Sequence, residues 1–328
     1  MIFLKNSLKN LRELILLPIF YLLSLVWLLF HYLRIKFGRY EKMPIPVVCV
    51  GNVTLGGAGK TPTVIFLASY LKKNNIDVHV VSRGYGGQFK GTVFVNRRNH
   101  TASDVGDEPL LISRYAKVWV SKKKKTGILS AYKAGAELVL LDDGHQNFSI
   151  EKDISILVLD AEFSLTNERI FPMGSLRENP LSAIARADFL ICIGSPASRK
   201  KFKETFLQQH NAKVIEGEFK PNILPKLIKR KLIAFCGIGR PEKFFLMLKN
   251  FDMQVIQNLT FPDHHFYSNG ELTKILEIAD KNNALIVTTE KDYVKLWGNF
   301  KKVIYPINIE LHLSNNKKLL LGLENLVF

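Results

Sequence analysis

Cysteine is scarce in this chain: three residues in 328, at Cys49, Cys192 and Cys236, each alone inside an apolar run. No pair has the spacing of a disulfide framework or of a zinc site, so the three read as reduced core thiols on the cytoplasmic side. Acidic residues are also few, 29 Asp and Glu against 46 Lys and Arg, which leaves a formal net charge of +17. Such an excess suits nucleic acid, yet no basic helix with interleaved aromatics accompanies it, so a nucleic-acid partner is not expected. An anionic membrane surface or a phosphorylated lipid asks for the same excess. The chain shows no internal repeat and no low-complexity segment.

What the chain does have begins at its N-terminus. Leu14–Leu33 runs without a charged residue, and about twenty apolar residues match the thickness of a bilayer core. Lys5, Lys9 and Arg12 flank one side and Arg34, Lys36 and Arg39 the other, with Trp27, His31 and Tyr32 towards the C-terminal end, where amphipathic rings favour the interface. The run is longer than a signal peptide's apolar core and no small-residue cleavage site follows it. Residues 1–38 are therefore expected to form a membrane anchor helix, spanning or deeply embedded. Pro18, Ser24 and His31 leave a second arrangement, a helix lying in one leaflet. Lys122–Lys125 is the one tight basic run; it reads first as a solvated turn and second as a contact for lipid phosphate.

Beyond the anchor, short apolar runs alternate with helical stretches, the pattern of a mostly parallel sheet covered on both faces. Strands are expected at Val47–Gly51, Val78–Ser82, Val93–Asn96, Val118–Val120, Leu138–Leu141, Ile154–Leu159 and Phe189–Ile193. Pro221 and Pro225 in a more basic stretch suggest a linker near 215–230, after which strands return at Leu232–Phe235, Gln254–Ile256, Leu285–Thr288 and Val303–Ile307. The fold class is α/β, with a core domain at 39–215 and a second, smaller α/β domain at 216–328.

The chemistry starts at Gly51-Asn52-Val53-Thr54-Leu55-Gly56-Gly57-Ala58-Gly59-Lys60-Thr61, a glycine-rich turn between an apolar strand and a helix. Turn glycines let backbone N–H groups point at phosphate oxygens, Lys60 adds a point charge, and Thr61 offers a hydroxyl to magnesium. Thr54 stands where the usual pattern has glycine. The strand Leu138–Leu141 ends in Asp142 and Asp143, placed to hold magnesium beside that loop. Asp104-Val-Gly-Asp107-Glu108 offers carboxylates that either cap a helix or handle the proton of an attacking hydroxyl. Arg83, in Arg83-Gly-Tyr-Gly-Gly87, and Arg177, in Gly174-Ser-Leu-Arg-Glu178, are candidates for a charged ligand, with ordinary turns as the alternative. Asp263-His264-His265 lacks a third metal ligand, so zinc is not expected, while a histidine paired with a carboxylate suits proton transfer. Glu290 stands where a guanine-reading motif needs lysine, which disfavours a GTPase.

Taken in order, Gly51–Pro62, Ser82–Gly86, Gly106–Pro109, Leu141–Gly144, Gly174–Glu178, Phe235–Pro241, Phe261–His264 and Thr289–Asp292 resemble the motifs of the tetraacyldisaccharide 4'-kinase family, the lipid A 4'-kinases. The resemblance implies an ATP- and magnesium-dependent transfer of phosphate to the 4'-hydroxyl of a lipid A disaccharide precursor, at the cytoplasmic face of the inner membrane of a Gram-negative bacterium. It implies Lys60, Thr61, Asp142 and Asp143 for phosphate and metal, Asp107 as base with His264 beside it, and Arg177 near the substrate's charged head. Two features depart from the family pattern: His145 and Asn147 stand where the family has phenylalanine and histidine, and His264 is followed by a second histidine, His265. Either His145 substitutes for the missing ring by proximity, or that contact is dispensable. The rival reading is a membrane-tethered P-loop ATPase that switches a protein partner.

Overall fold

The computed structural model describes residues 2–162, 169–206 and 213–328, with side chains from residue 17 onward. The basic flank at Lys5, Lys9 and Arg12 lies outside the described side chains. Twelve strands form one sheet: β1 (Val47–Gly51), β2 (Val78–Ser82), β3 (Thr92–Phe94), β4 (Lys117–Ser121), β5 (Leu138–Asp142), β6 (Ile154–Asp160), β7 (Phe189–Ile193), β8 (Lys213–Asn222), β9 (Leu232–Cys236), β10 (Val255–Thr260), β11 (Leu285–Thr289) and β12 (Ile304–Ser314). Their spatial order is β10-β9-β11-β12-β8-β7-β6-β1-β5-β2-β4-β3. Pairing is parallel throughout except at the edge strand β3 and at the junction of β8 with β12.

The central strands are buried on both faces, which is why they read as unbroken apolar runs. Alternation still sorts them: Val48 and Val50 of β1 join one core layer with the helix Lys60–Lys73, and Val47 and Cys49 join the opposite layer. The β9–β11 block has its own two layers, with Leu232 and Ala234 on one side and Ile233 and Phe235 on the other. All three cysteines are buried within strands, and burial pushes their thiols up to about 11 or 12.

Residues 215–222 of the expected linker are strand β8, and the sheet runs unbroken across that stretch. β8 pairs antiparallel with β12 over seven registered positions, from Asn222 opposite Asn308 to Glu216 opposite Ser314. Its charges are answered locally: Glu216 meets Arg199 at 3.1 Å and Glu218 meets Lys220 at 2.8 Å. A half-buried strand carrying neutralised charges has the composition of a loop.

The N-terminal helix Ile2–Phe37 rests on the body along one narrow stripe. Ser24 Oγ donates to Ile170 O at 3.0 Å, Trp27 Nε1 to Arg177 O at 2.8 Å, and His31 Nε2 reaches Glu178 Oε2 at 3.0 Å. Spacings of three and four residues put these side chains on one helix face. The apolar residues around them, including Leu22 and Phe30, stay exposed.

Candidate active site

The phosphate-loop geometry follows from its residues. Gly59 has φ +92°, the left-handed region that favours glycine, and caps the helix beginning at Lys60. Asn52 is fully buried and braces the turn from inside: its Nδ2 donates to Thr54 O at 2.8 Å, while its Oδ1 accepts from Lys60 Nζ at 3.1 Å. Lys60 is also 3.5 Å from Asp143 Oδ1. The segment at 174–178 runs against the loop, with Leu55 N donating to Ser175 O at 2.7 Å and Arg177 N to Val53 O at 2.8 Å. Arg177 Nη1 thereby reaches both oxygens of Asp143, at 2.8 and 2.9 Å.

The two carboxylates after β5 are in different environments. Asp143 sits at φ +55°, a conformation that costs a non-glycine residue about 1–2 kcal/mol. Burial pushes its carboxyl up, but the charges of Lys60 and Arg177 outweigh burial and hold it down to about 2. Asp142 is more deeply placed. Ser82 Oγ donates to its Oδ2 at 2.8 Å, and its Oδ1 is buried without a hydrogen-bond partner. Burial first, then the charges of Glu108 and Asp143, raise its carboxyl to about 6. The orphaned, buried Asp142 oxygen, the adjacent Asp143 carboxylate and the hydroxyl that Thr61 supplies at the start of the loop helix are hard-oxygen donors, a set whose chemistry fits magnesium. Among the described residues no cluster of three His, Cys, Asp or Glu forms a protein-only metal cage, as suits an ion that shares its ligands with phosphates and water.

Asp107 opens the helix Asp107–Ile112, just after the turn at Gly106, and is 3% exposed. Gly106, at φ +93°, fits close beneath Tyr85: a Cβ there would lie 2.6 Å from Tyr85 O. The turn Arg83–Gly87 therefore supports the Asp107 turn, while Arg83 itself is exposed and makes no hydrogen bond or ion pair among the described residues. His264, also left-handed at φ +60°, sets its Nδ1 3.0 Å from both oxygens of Asp107. Burial raises the Asp107 carboxyl, but the bond from His264 and the charges of Lys291 and Lys295 outweigh it, so the group sits below the ordinary carboxylate value. His265 turns away and meets Glu271 at 3.0 Å.

Segments from the β9–β11 block close over the phosphate loop. A Cβ on Gly239 would lie 3.8 Å from Gly56 Cα. Asp292 pins that block's turns together, accepting from Gly237 N at 3.0 Å and from Tyr267 Oη at 2.8 Å. Arg240 donates to Asp160 of β6 at 2.7 Å.

Two expectations change. His145 does not replace the missing ring at 147: it is buried, its Nδ1 lies 3.2 Å from Ser155 Oγ, and burial lowers its imidazole to about 4. Asn147 instead closes a turn, accepting from Ser149 N at 2.9 Å. The basic run is not uniformly open to lipid or solvent. Lys124 is buried and donates to the carbonyls of Val81 and Asp142, and Lys125 pairs with Glu41 at 2.6 Å. The sequence also gave no sign of how Glu178 is used. It is fully buried between His31, Arg186 and Gln146, and although burial raises its carboxyl, the His31 bond and the Arg186 charge hold it down to about 2.

Residues 12–327 match the family described as tetraacyldisaccharide-1-P 4'-kinase. A tetraacyldisaccharide 4'-kinase of Rhodospirillum centenum is 40% identical over 290 residues, covering 88% of this chain and 85% of the relative. One of Rhodospirillum rubrum is 41% identical over 256 residues, 78% of this chain and 77% of its own. Among solved structures, the "apo" form of LpxK from Aquifex aeolicus in complex with ATP superposes with a TM-score of 0.76 at 30% identity, covering 95% of this chain and 98% of that one.

Proposed function

The chain belongs to the tetraacyldisaccharide-1-P 4'-kinase family, and on that premise we propose how its residues divide the work. It is an ATP-dependent kinase of lipid A biosynthesis, acting on the 4'-hydroxyl of a tetraacylated disaccharide 1-phosphate. The observation that carries the assignment of roles is that Lys60 of the loop lies 3.5 Å from Asp143 at the strand end, while Gly239 sits against both Gly56 of that loop and Asp263, the neighbour of the Asp107–His264 pair. Loop N–H groups and Lys60 receive the β- and γ-phosphates of ATP. Thr61, Asp142 and Asp143 hold magnesium, which when bound neutralises charge on the phosphate oxygens. Arg177, seated on Asp143, and Arg83 at the rim face the acceptor's charged head. Asp107 holds the acceptor hydroxyl and takes its proton, with His264 fixing the carboxylate.

The membrane placement is part of the same proposal. Leu17–Phe37 is apolar, with mean hydropathy 1.6, and only 6% of it is buried. Its polar stripe is taken up by the body at Ile170, Arg177 and Glu178. A segment docked in this way lies along the body and offers its remaining faces to lipid, so the stretch from Ser24 onward sits in one leaflet, with the acceptor-side residue Arg177 at headgroup level. We place the enzyme at the cytoplasmic face of the inner membrane, where the positive excess meets anionic lipid.

Two experiments test this. Incubating the protein with γ-labelled ATP, magnesium and the disaccharide 1-phosphate is expected to move label onto the 4'-oxygen; release of free phosphate that depends on a protein and not on this acceptor would favour the switching ATPase. Deleting residues 1–23, which leaves the docked stripe and the stretch from Ser24 intact, is expected to weaken co-flotation with anionic vesicles while ATP binding persists. Undiminished flotation would show that the membrane contact lies elsewhere.

A further inference from the structure

His264 is held between two partners. Its Nδ1 lies 3.0 Å from the oxygens of Asp107, and its Nε2 lies 3.3 Å from Lys291 Nζ. An ammonium has three donors and no acceptor. Nε2 therefore meets Lys291 with its lone pair, and the one proton of the neutral ring stands on Nδ1, aimed at Asp107. The group that would favour a proton on Nε2 is Asp263, whose Oδ2 is 3.8 Å away, outside hydrogen-bond range, and whose Oδ1 is 3.5 Å from Lys291. Two further charges face the pair: Glu108 accepts from Lys291 at 3.2 Å, and Lys295 stands 3.9 Å from Asp107. The Tyr85 ring covers the imidazole at 4.9 Å between centroids.

We propose that Lys291 is a positioning residue that sets the tautomer of His264, so that the ring's N–H stands on Nδ1 and fixes Asp107 as a donor. The inference rests on the reading of Asp107 as the group that receives the acceptor's proton. An imidazolium against Asp107 would form a full ion pair and strip the carboxylate of basicity, whereas a neutral donor orients it and leaves it able to accept. Lys291 suits the task because its own charge is secure: burial lowers its ammonium, but Glu108, Asp107 and Asp263 outweigh burial and hold it above the ordinary lysine value. The three side chains come from segments far apart in sequence. Asp107 opens the helix Asp107–Ile112, His264 lies in the turn after β10, and Lys291 belongs to the short helix Glu290–Tyr293 after β11.

The test is ¹⁵N NMR of histidine-labelled full-length protein, with the His264 signals identified by their loss in His264→Gln. In the wild type at neutral pH the expected pattern is a protonated Nδ1 and a bare Nε2. Lys291→Met removes the donor that meets Nε2, so the neutral ring's proton should move towards Nε2. Lys291→Arg, which keeps a donor at that point, should restore the wild-type pattern. In Lys291→Met, kcat should fall about tenfold with KM for ATP unchanged, the modest loss of a positioning group. A wild-type ring protonated at Nε2, or a Lys291→Met ring that keeps the wild-type tautomer, would overturn the inference. The spectrum reads the ring without turnover, so an error about Asp107 as base would leave it untouched and would show as an unimpaired Asp107→Asn enzyme.

Discussion

Lys60→Met is expected to lower kcat by at least about a thousandfold while the protein melts within a degree or two of the wild type. Removing one donor aimed at charge that develops in a transition state costs about 10²–10³ in rate, and Lys60 adds a full charge to its donors. Its side chain ends at the mouth of the loop, bonded to Asn52 Oδ1 and near Asp143, and it supports no core layer. The loss therefore falls on chemistry, because Arg177 still neutralises Asp143 in its absence. Lys60→Arg should be little better, since a planar fork does not reproduce a compact ammonium inside a tight turn. Near-normal turnover with unchanged magnesium dependence in Lys60→Met would remove the phosphate-loop assignment.

The elements that could be read from sequence are those whose burial is uniform. β1, β2 and β7 fall at the expected residues because each is mostly apolar, buried on both faces and bounded by turn residues. β8 could not be read, because its alternating burial is masked by Glu216, Glu218 and Lys220, whose partners come from the preceding helix and from within the strand itself. Motif order placed the phosphate loop, the strand-end carboxylates and Asp107. Tertiary partners were out of reach: nothing in the run Lys122–Lys125 says that the third lysine turns inward to the carbonyls of β2 and β5. The same limit applied to His264 and His265, adjacent in sequence and separated only by which carboxylate each meets. Nothing in the N-terminal run says that Ser24, Trp27 and His31 form the stripe that fastens the helix to the body.

Asp107→Asn is expected to cut the rate of transfer by roughly two to four orders of magnitude, the usual worth of a general base, with ATP affinity little changed. The amide keeps the shape and can still hold a hydroxyl, so the loss isolates the acceptance of a proton. A carboxyl held below its ordinary value by His264 and the lysines is a weak base. In a loose transition state the nucleophile bond is little formed and its proton leaves late, so a well-placed weak base is sufficient. The sign of the pH dependence follows. Asp107 stays ionised down to below the usual carboxylate range, its contribution to both activity and stability is present above that point, and it is lost as pH falls through the lowered value. His264→Ala removes a lowering influence, so the acid limb of kcat/KM should move up, and its cost should be smaller than that of Asp107→Asn. Because the two side chains share one hydrogen-bonded unit, the double variant should be hardly worse than Asp107→Asn alone. Multiplying penalties would mean that the two act independently. A loss in Asp107→Asn that excess magnesium restores would instead move this carboxylate into the metal site and leave the hydroxyl proton to another group.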